Sequence, residues 1–137
     1  NVSAFGTDAR LEMGDAAVLD TLLRDCAFTT CIGDGAGVGV GTFGGALVVL
    51  HEFRIWRSAM CGAMIASGAD PSGVSLTEDG VLELRNGEVA WNPIGVNIQA
   101  VEYDTGMLVD GVAYFENERN LDTASLPVPG QVGLETL

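Results

Sequence analysis

A chain of 137 residues is long enough for one domain to bury about two thirds of its unfolded surface. With 47 % apolar and 18 % charged residues it is not a disordered sequence. Nineteen acids against six arginines, one histidine and no lysine leave a net charge of −13, a field that repels phosphate backbones and anionic lipid head groups and so argues against nucleic-acid and basic membrane-surface binding.

The chain opens on Asn1 with no visible signal-peptide pattern. The first predicted element is a short helix over residues 15–27. Asp15 caps its first turn, and Val18, Leu19, Leu22, Leu23 and Cys26 return at helical spacing opposite Asp20, Arg24 and Asp25. Its stripe covers about three turns, too few to persist without a packing partner.

A glycine-rich segment follows over residues 33–45. Ordering such a run is entropically costly, so it is either a mobile arm or a backbone held very close to something else. Gly39, Gly41 and Gly44 fit G-x-G-x-x-G, but so dense a run produces that pattern by composition, and Cys31-Ile32 is a poor preceding strand. A phosphate loop is excluded because it needs lysine. The longest uncharged run, Gly35 to Leu50, falls short of the roughly 20 residues that span a bilayer, so no stable transmembrane segment is expected. Cys26, Cys31 and Cys61 are odd in number and lack C-x-x-C spacing; they read as small buried hydrophobes, with a Cys26–Cys31 disulfide or an intermolecular bond as the competing reading, and no metal site is expected.

The strand-rich body is assigned to residues 46–118. A strand from Leu47 to Arg57 competes with a helix from Ala46 to Ala66, whose Val49, Phe53, Trp56, Met60 and Met64 would share a face. Beyond Gly68, turns at Asp70-Pro71-Ser72-Gly73, Asp79-Gly80 and Asn86-Gly87 punctuate short strands. A two-residue hairpin loop at Asn86-Gly87 would pair Leu84 with Val89 and Leu82 with Trp91 on one face, and Arg85 with Glu88 on the other. Asn92-Pro93 breaks the strand. Met107 to Phe115 is apolar on both sides, more than a sandwich strand needs, and implies a covering element or a partner chain. Residues 120–137, with Pro127 and Pro129, are predicted to form an extended C-terminal arm, too apolar to be solvated.

Catalytic signatures are weak. His51-Glu52 is a histidine beside a carboxylate, but neighbours in a strand point to opposite faces and Glu52 cannot orient His51. Glu78-Asp79 and Glu116 with Glu118 are acid pairs of a kind that nineteen acids produce by chance. No catalytic, cofactor-binding or metal-ligating residue is therefore assigned. The fold expected is a single mainly-β domain, an antiparallel sandwich or jelly-roll-like meander with a short N-terminal helix.

By exclusion, the expected function is that of a non-enzymatic structural subunit, contacting other copies of itself and other assembly proteins, in a virion or another extracellular assembly. A virion coat or decoration protein is the example that fits. Abundant acid without lysine adds the expectation of a salt-rich habitat, where carboxylate repulsion is screened. The alternative is a small enzyme or ligand-binding barrel whose cavity is lined by Phe53, Trp56, Trp91, Tyr103 and Tyr114.

Overall fold

The computed structural model describes residues 2–21, 37–68 and 75–126. Ten strands form two sheets in which every pairing is parallel. One sheet runs in the order β1 (Val2–Phe5), β4 (Val38–Phe43), β6 (Cys61–Ala66), β8 (Ile94–Ile98), β10 (Arg119–Asp122). The other runs β2 (Arg10–Gly14), β5 (Leu47–Trp56), β7 (Val81–Ala90), β9 (Asp110–Phe115), with β3 (Ala17–Leu19) also pairing β5. Successive passes of the chain thus give one strand to each sheet and then move one strand along, which is a parallel β-helix of stacked coils.

The corners are set by backbone conformation. Asp15, Glu52, Asn86 and Gly111 have φ of 51°, 53°, 51° and 66°, and each follows one of the partnered residues Gly14, His51, Arg85 and Asp110. They stack into a column of left-handed residues that bends the second sheet into two walls. A second column, Asp20, Arg57, Trp91 and Glu116 with φ of 53° to 56°, ends those strands. All seven non-glycine residues with positive φ among the described residues lie in these two columns. Each such residue is disfavoured by about 1–2 kcal/mol, so the inter-coil ladders on either side must hold it.

The interior is built from like-on-like stacks. Leu11, Val48 and Leu82 are in register, as are Met13, Leu50 and Leu84, then Val18, Ile55 and Val89; across the core stand Val40, Ala63 and Val96. Burying each of the larger side chains stabilises the fold by about 1.5–3 kcal/mol. β4, β6 and β8 are buried on both faces, the outer one through Val38, Phe43, Cys61, Met64, Ala66 and Ile94 with Phe5, Met60 and Leu126 against them. Two-sided burial suits parallel strands that read as continuous small and apolar runs rather than alternations.

Glycine makes the coils stack closely. Gly39, Gly62 and Gly95 occupy one column, and a Cβ on each would come within 2.5, 2.6 and 2.5 Å of the carbonyl oxygen of Gly62, Gly95 and Asn120 respectively. The glycine run therefore works here by close backbone approach.

The structure corrects several expectations. The antiparallel sandwich or jelly-roll is replaced by parallel coils. Of the predicted helix 15–27, residues 15–21 contain the bend at Asp15 and strand β3, while 22–27 lie outside the described residues; no α-helix occurs among the described residues. The helix Ala46–Ala66 gives way to two strands, β5 and β6. Asn86-Gly87 is not a hairpin, because β7 runs straight through it: the left-handed residue that would start a tight turn instead bends one strand. Leu84 and Val89 are both buried, but Trp91 is outside.

The strand predicted from Met107 begins only at Asp110, after a 3-10 turn, Thr105–Leu108, that buries Leu108. The C-terminal arm 120–137 starts as β10 and continues to Leu126, whose carbonyl accepts a 3.0 Å bond from Gln99 Nε2; residues 127–137 lie outside the description. Also outside it are the turn at residues 70–73, Cys26, Cys31 and glycine positions 33–36. No helix among the described residues is long and apolar enough to cross a membrane.

Candidate functional site

An open groove of about 580 Å³ runs along the first left-handed column. Its lining comes from four consecutive coils: Asp15, Ala16 and Ala17, then Glu52, Phe53 and Arg54, then Asn86, Gly87 and Glu88, then Gly111 and Ala113. Coils in a sheet stand about 4.8 Å apart, so three steps give it a length of roughly 14 Å along the axis. Left-handed backbone at the column holds Asp15, Glu52 and Asn86 at the bend, where all three are exposed.

Two glycines let neighbouring coils pack closely along the groove. A side chain at Gly87 would run into the Phe53 ring, which is buried in the core, and one at Gly111 would strike the Asn86 amide oxygen. Arg54 Nε lies 3.9 Å from Glu88 Oε2, and the two residues are in register on adjacent coils.

Beside the groove stands an aromatic ridge. The Trp56 and Trp91 rings meet edge to face at 5.2 Å, and Trp91 meets Phe115 in the same manner at 5.0 Å. Such T-shaped contacts add about 0.5–1.5 kcal/mol each beyond burial. Trp91 is nevertheless 45 % exposed, so part of its ring faces solvent. The Arg54 guanidinium lies 5.4 Å from the centre of the Trp56 ring and therefore joins ridge to groove. On the ridge's other flank Arg57 donates from Nε and its terminal nitrogen to the two Asp20 carboxylate oxygens at 2.5 and 2.8 Å. That bond holds the Asp20 carboxyl below the usual carboxylate range and raises Arg57.

Beneath the ridge a buried polar cluster fixes the second corner. Asn92 Oδ1 accepts from the Ser58 backbone N–H at 2.9 Å, Asn92 Nδ2 donates to Asn117 Oδ1 at 3.0 Å, and Asn117 Nδ2 donates to the Val89 carbonyl at 2.8 Å. Asn92 is 2 % exposed, so its bonds are made without competition from water.

The five aromatics proposed as a cavity lining separate. Trp56 and Trp91 come together on the ridge and gain Phe115 as a partner. Phe53 is core with its edge on the groove, whereas Tyr103 donates its hydroxyl to the Leu82 carbonyl and Tyr114 to that of Leu108. Burial raises both phenols. There is no barrel. Gly39 and Gly41 lie inside β4, and the turn at Gly44 leads to another strand rather than to a helix that could receive a phosphate.

His51 packs over Gly14 while Glu52 points into the groove, so they form no catalytic pair. Asp79 accepts from the Val101 N–H at 3.3 Å and Glu116 belongs to the second column; neither lines the groove. Cys61 is buried, which pushes its thiol up to about 12 and makes it inert. Asp15, Arg54, Glu88 and Phe115 were not singled out as site residues from sequence. Their common feature is position relative to the bends, with Asp15 at one, Arg54 and Glu88 two residues after one and Phe115 just before one, and it is obscured in sequence because the coils differ in length.

No family model, curated protein or solved structure matches this chain. The expectation of a non-enzymatic virion or decoration subunit does not hold. It rested on surplus apolar surface, part of which the chain buries in its core and outer layer although Met107 and Val109 stay exposed, and on the lack of a site, where the structure has a polar groove beside aromatics on a parallel-coil scaffold. Nor is the acid excess a mark of a salt habitat. Arg10, Arg54, Arg57, Arg85 and Arg119 each pair with a carboxylate in the ordinary way, and the charge remains a statement of composition.

Proposed function

We propose that the chain is a small glycan-active protein that holds a linear sugar chain along the groove. The observation that carries this reading is the continuity of the groove over four coils, with hydrogen-bonding groups repeated from coil to coil and an indole exposed alongside. A linear sugar chain presents hydroxyls at regular intervals and flat C–H faces, which the carboxylates, the Asn86 amide and the Trp91 ring complement. Single-stranded nucleic acid also uses aromatic platforms, but it needs a cationic track, and this groove is acidic. The reading keeps the ligand-binding alternative and drops its barrel.

A length series of soluble neutral oligosaccharides tests it by calorimetry. Affinity should rise from the monosaccharide to about three sugar units, the number that fills roughly 14 Å, and then level off. Absence of saturable binding at every length, or affinity independent of length, overturns it.

Hydrolysis is the second reading, favoured by Asp15 and Glu52 standing on neighbouring coils. Their backbones are about 4.8 Å apart, the order of separation of the two carboxyls in retaining glycosidases, about 5–5.5 Å. Release of reducing ends that disappears in Glu52→Gln supports it; binding without any release reduces the protein to a binding module.

A further inference from the structure

Charge along the groove narrows the ligand class, given the glycan reading above. Carboxylates enter from three successive coils, at Asp15, Glu52 and Glu88. The single cation in the lining, Arg54, is engaged by Glu88 at 3.9 Å and by the Trp56 ring at 5.4 Å. Its charge is therefore answered locally, and Asp15 and Glu52 join no ion pair among the described residues. The ridge independently favours cations. Arg54 and Arg57 both lie over Trp56, as expected of the negative face of an indole, and the neighbouring Trp91 offers part of its ring to solvent. A chain-wide charge of −13 adds a long-range attraction of the same sign.

We propose that the ligand is a polymer of amino sugars, bound with its protonated amines against Asp15 and Glu52 and its sugar faces against Trp91. The amines supply what neutral hydroxyls cannot, a charge-assisted hydrogen bond to each carboxylate, about twice as strong as a neutral one. Polyanionic glycans are rejected by the same groups, because a like charge placed in the groove finds no counter-ion that is not already engaged.

The test compares a glucosamine hexamer with its fully N-acetylated counterpart, which keeps the backbone and removes the positive charges. Calorimetry on the whole chain should show the free amine form binding about tenfold more tightly at low salt, with the ratio shrinking toward one as salt approaches about 1 M. In the Asp15→Asn, Glu52→Gln double variant the ratio should fall to about twofold or less. Asn is among the residues best suited to left-handed backbone, and a circular-dichroism melt reports whether the double variant is folded. If it is not, Glu88→Gln alone should still lower the ratio. Equal binding of the two hexamers overturns the charge selectivity and leaves the glycan reading intact. A tenfold ratio that survives in the folded double variant also overturns it, by assigning the preference to the acidic surface at large. Failure of both hexamers and of every neutral oligosaccharide removes the glycan reading itself.

Discussion

Gly62 and Gly95 lie in neighbouring coils so close together that a Cβ on Gly62 would stand 2.6 Å from the Gly95 carbonyl oxygen. The obstacle is backbone on a paired strand, which cannot swing aside as a side chain can. Val89 Cγ1 and Asn92 Nδ2 would each stand 3.1 Å from the same Cβ, so sideways relief is also blocked.

Gly62→Ala is accordingly expected to destabilise the chain by about 1–3 kcal/mol, the usual cost of forcing extra volume into a packed interior. Urea unfolding followed by far-ultraviolet circular dichroism measures it. A midpoint equal to that of the parent chain would contradict the close stacking of β6 on β8.

Asn92 makes a different demand, because its partners are buried polar groups. Replacing it with leucine keeps the volume but leaves the Ser58 N–H without its acceptor and takes away one of the two donors to Asn117 Oδ1, the backbone N–H of residue 92 remaining. The orphaned N–H costs about 1–3 kcal/mol. Asn92→Leu should therefore melt at a lower temperature than Asn92→Asp, which keeps the acceptor facing Ser58.

Alkaline pH should weaken the fold through three buried acids. Burial disfavours the anions of Cys61, Tyr114 and Tyr103, pushing the thiol up to about 12 and raising both phenols above their ordinary value of 10. The folded chain thus holds these protons more tightly than the unfolded chain does. Their contribution is complete below the unfolded values, 9 for the thiol and 10 for the phenols, and is lost as pH rises through the folded ones. Urea midpoints should be level near pH 7–8 and decline from about pH 9 to 12. Cys61→Ala should lie lower at neutral pH, because it leaves a cavity, yet decline less steeply over that window.

Trp91 is the ridge residue with the most ring to offer, so its truncation should affect binding more than folding. Trp91→Ala is expected to weaken the neutral oligosaccharide complex at least about fivefold, the loss of roughly 1 kcal/mol that marks an aromatic anchor. Calorimetry against the same length series gives the number. Unaltered affinity would place the sugar chain wholly within the groove.

Local sequence was informative where local physics decides. Val48, Val49, Phe53, Ile55 and Trp56 favoured a strand, and β5 occupies Leu47–Trp56. Asn86-Gly87 reads as a hairpin loop, and the structure keeps the left-handed backbone such a loop needs, at Asn86 with φ 51°, without the hairpin. The absence of lysine excludes a lysine-dependent phosphate loop, which is a property of composition alone.

What a left-handed residue turns, and which strand pairs with which, is a tertiary matter. A bend within one strand and a hairpin between two use the same φ, and an apolar run reads alike in a parallel and an antiparallel ladder. Leu84 and Val89 thus look like hairpin partners, although each is paired in parallel with another coil, Leu84 with Leu50 and Val89 with Ile55 and Tyr114. The groove lay further from view. Asp15, Glu52, Asn86 and Gly111 are far apart along the chain and become neighbours only because stacking brings equivalent bends of unequal coils into one column. Sequence alone determined the strand propensity of Leu47 to Trp56, the turn-forming character of Asn86-Gly87 and the sign of the charge, since these depend on each residue and its immediate neighbours. Strand direction, coil register and the site were decided by the tertiary structure, because they depend on contacts between segments whose separation follows no fixed period.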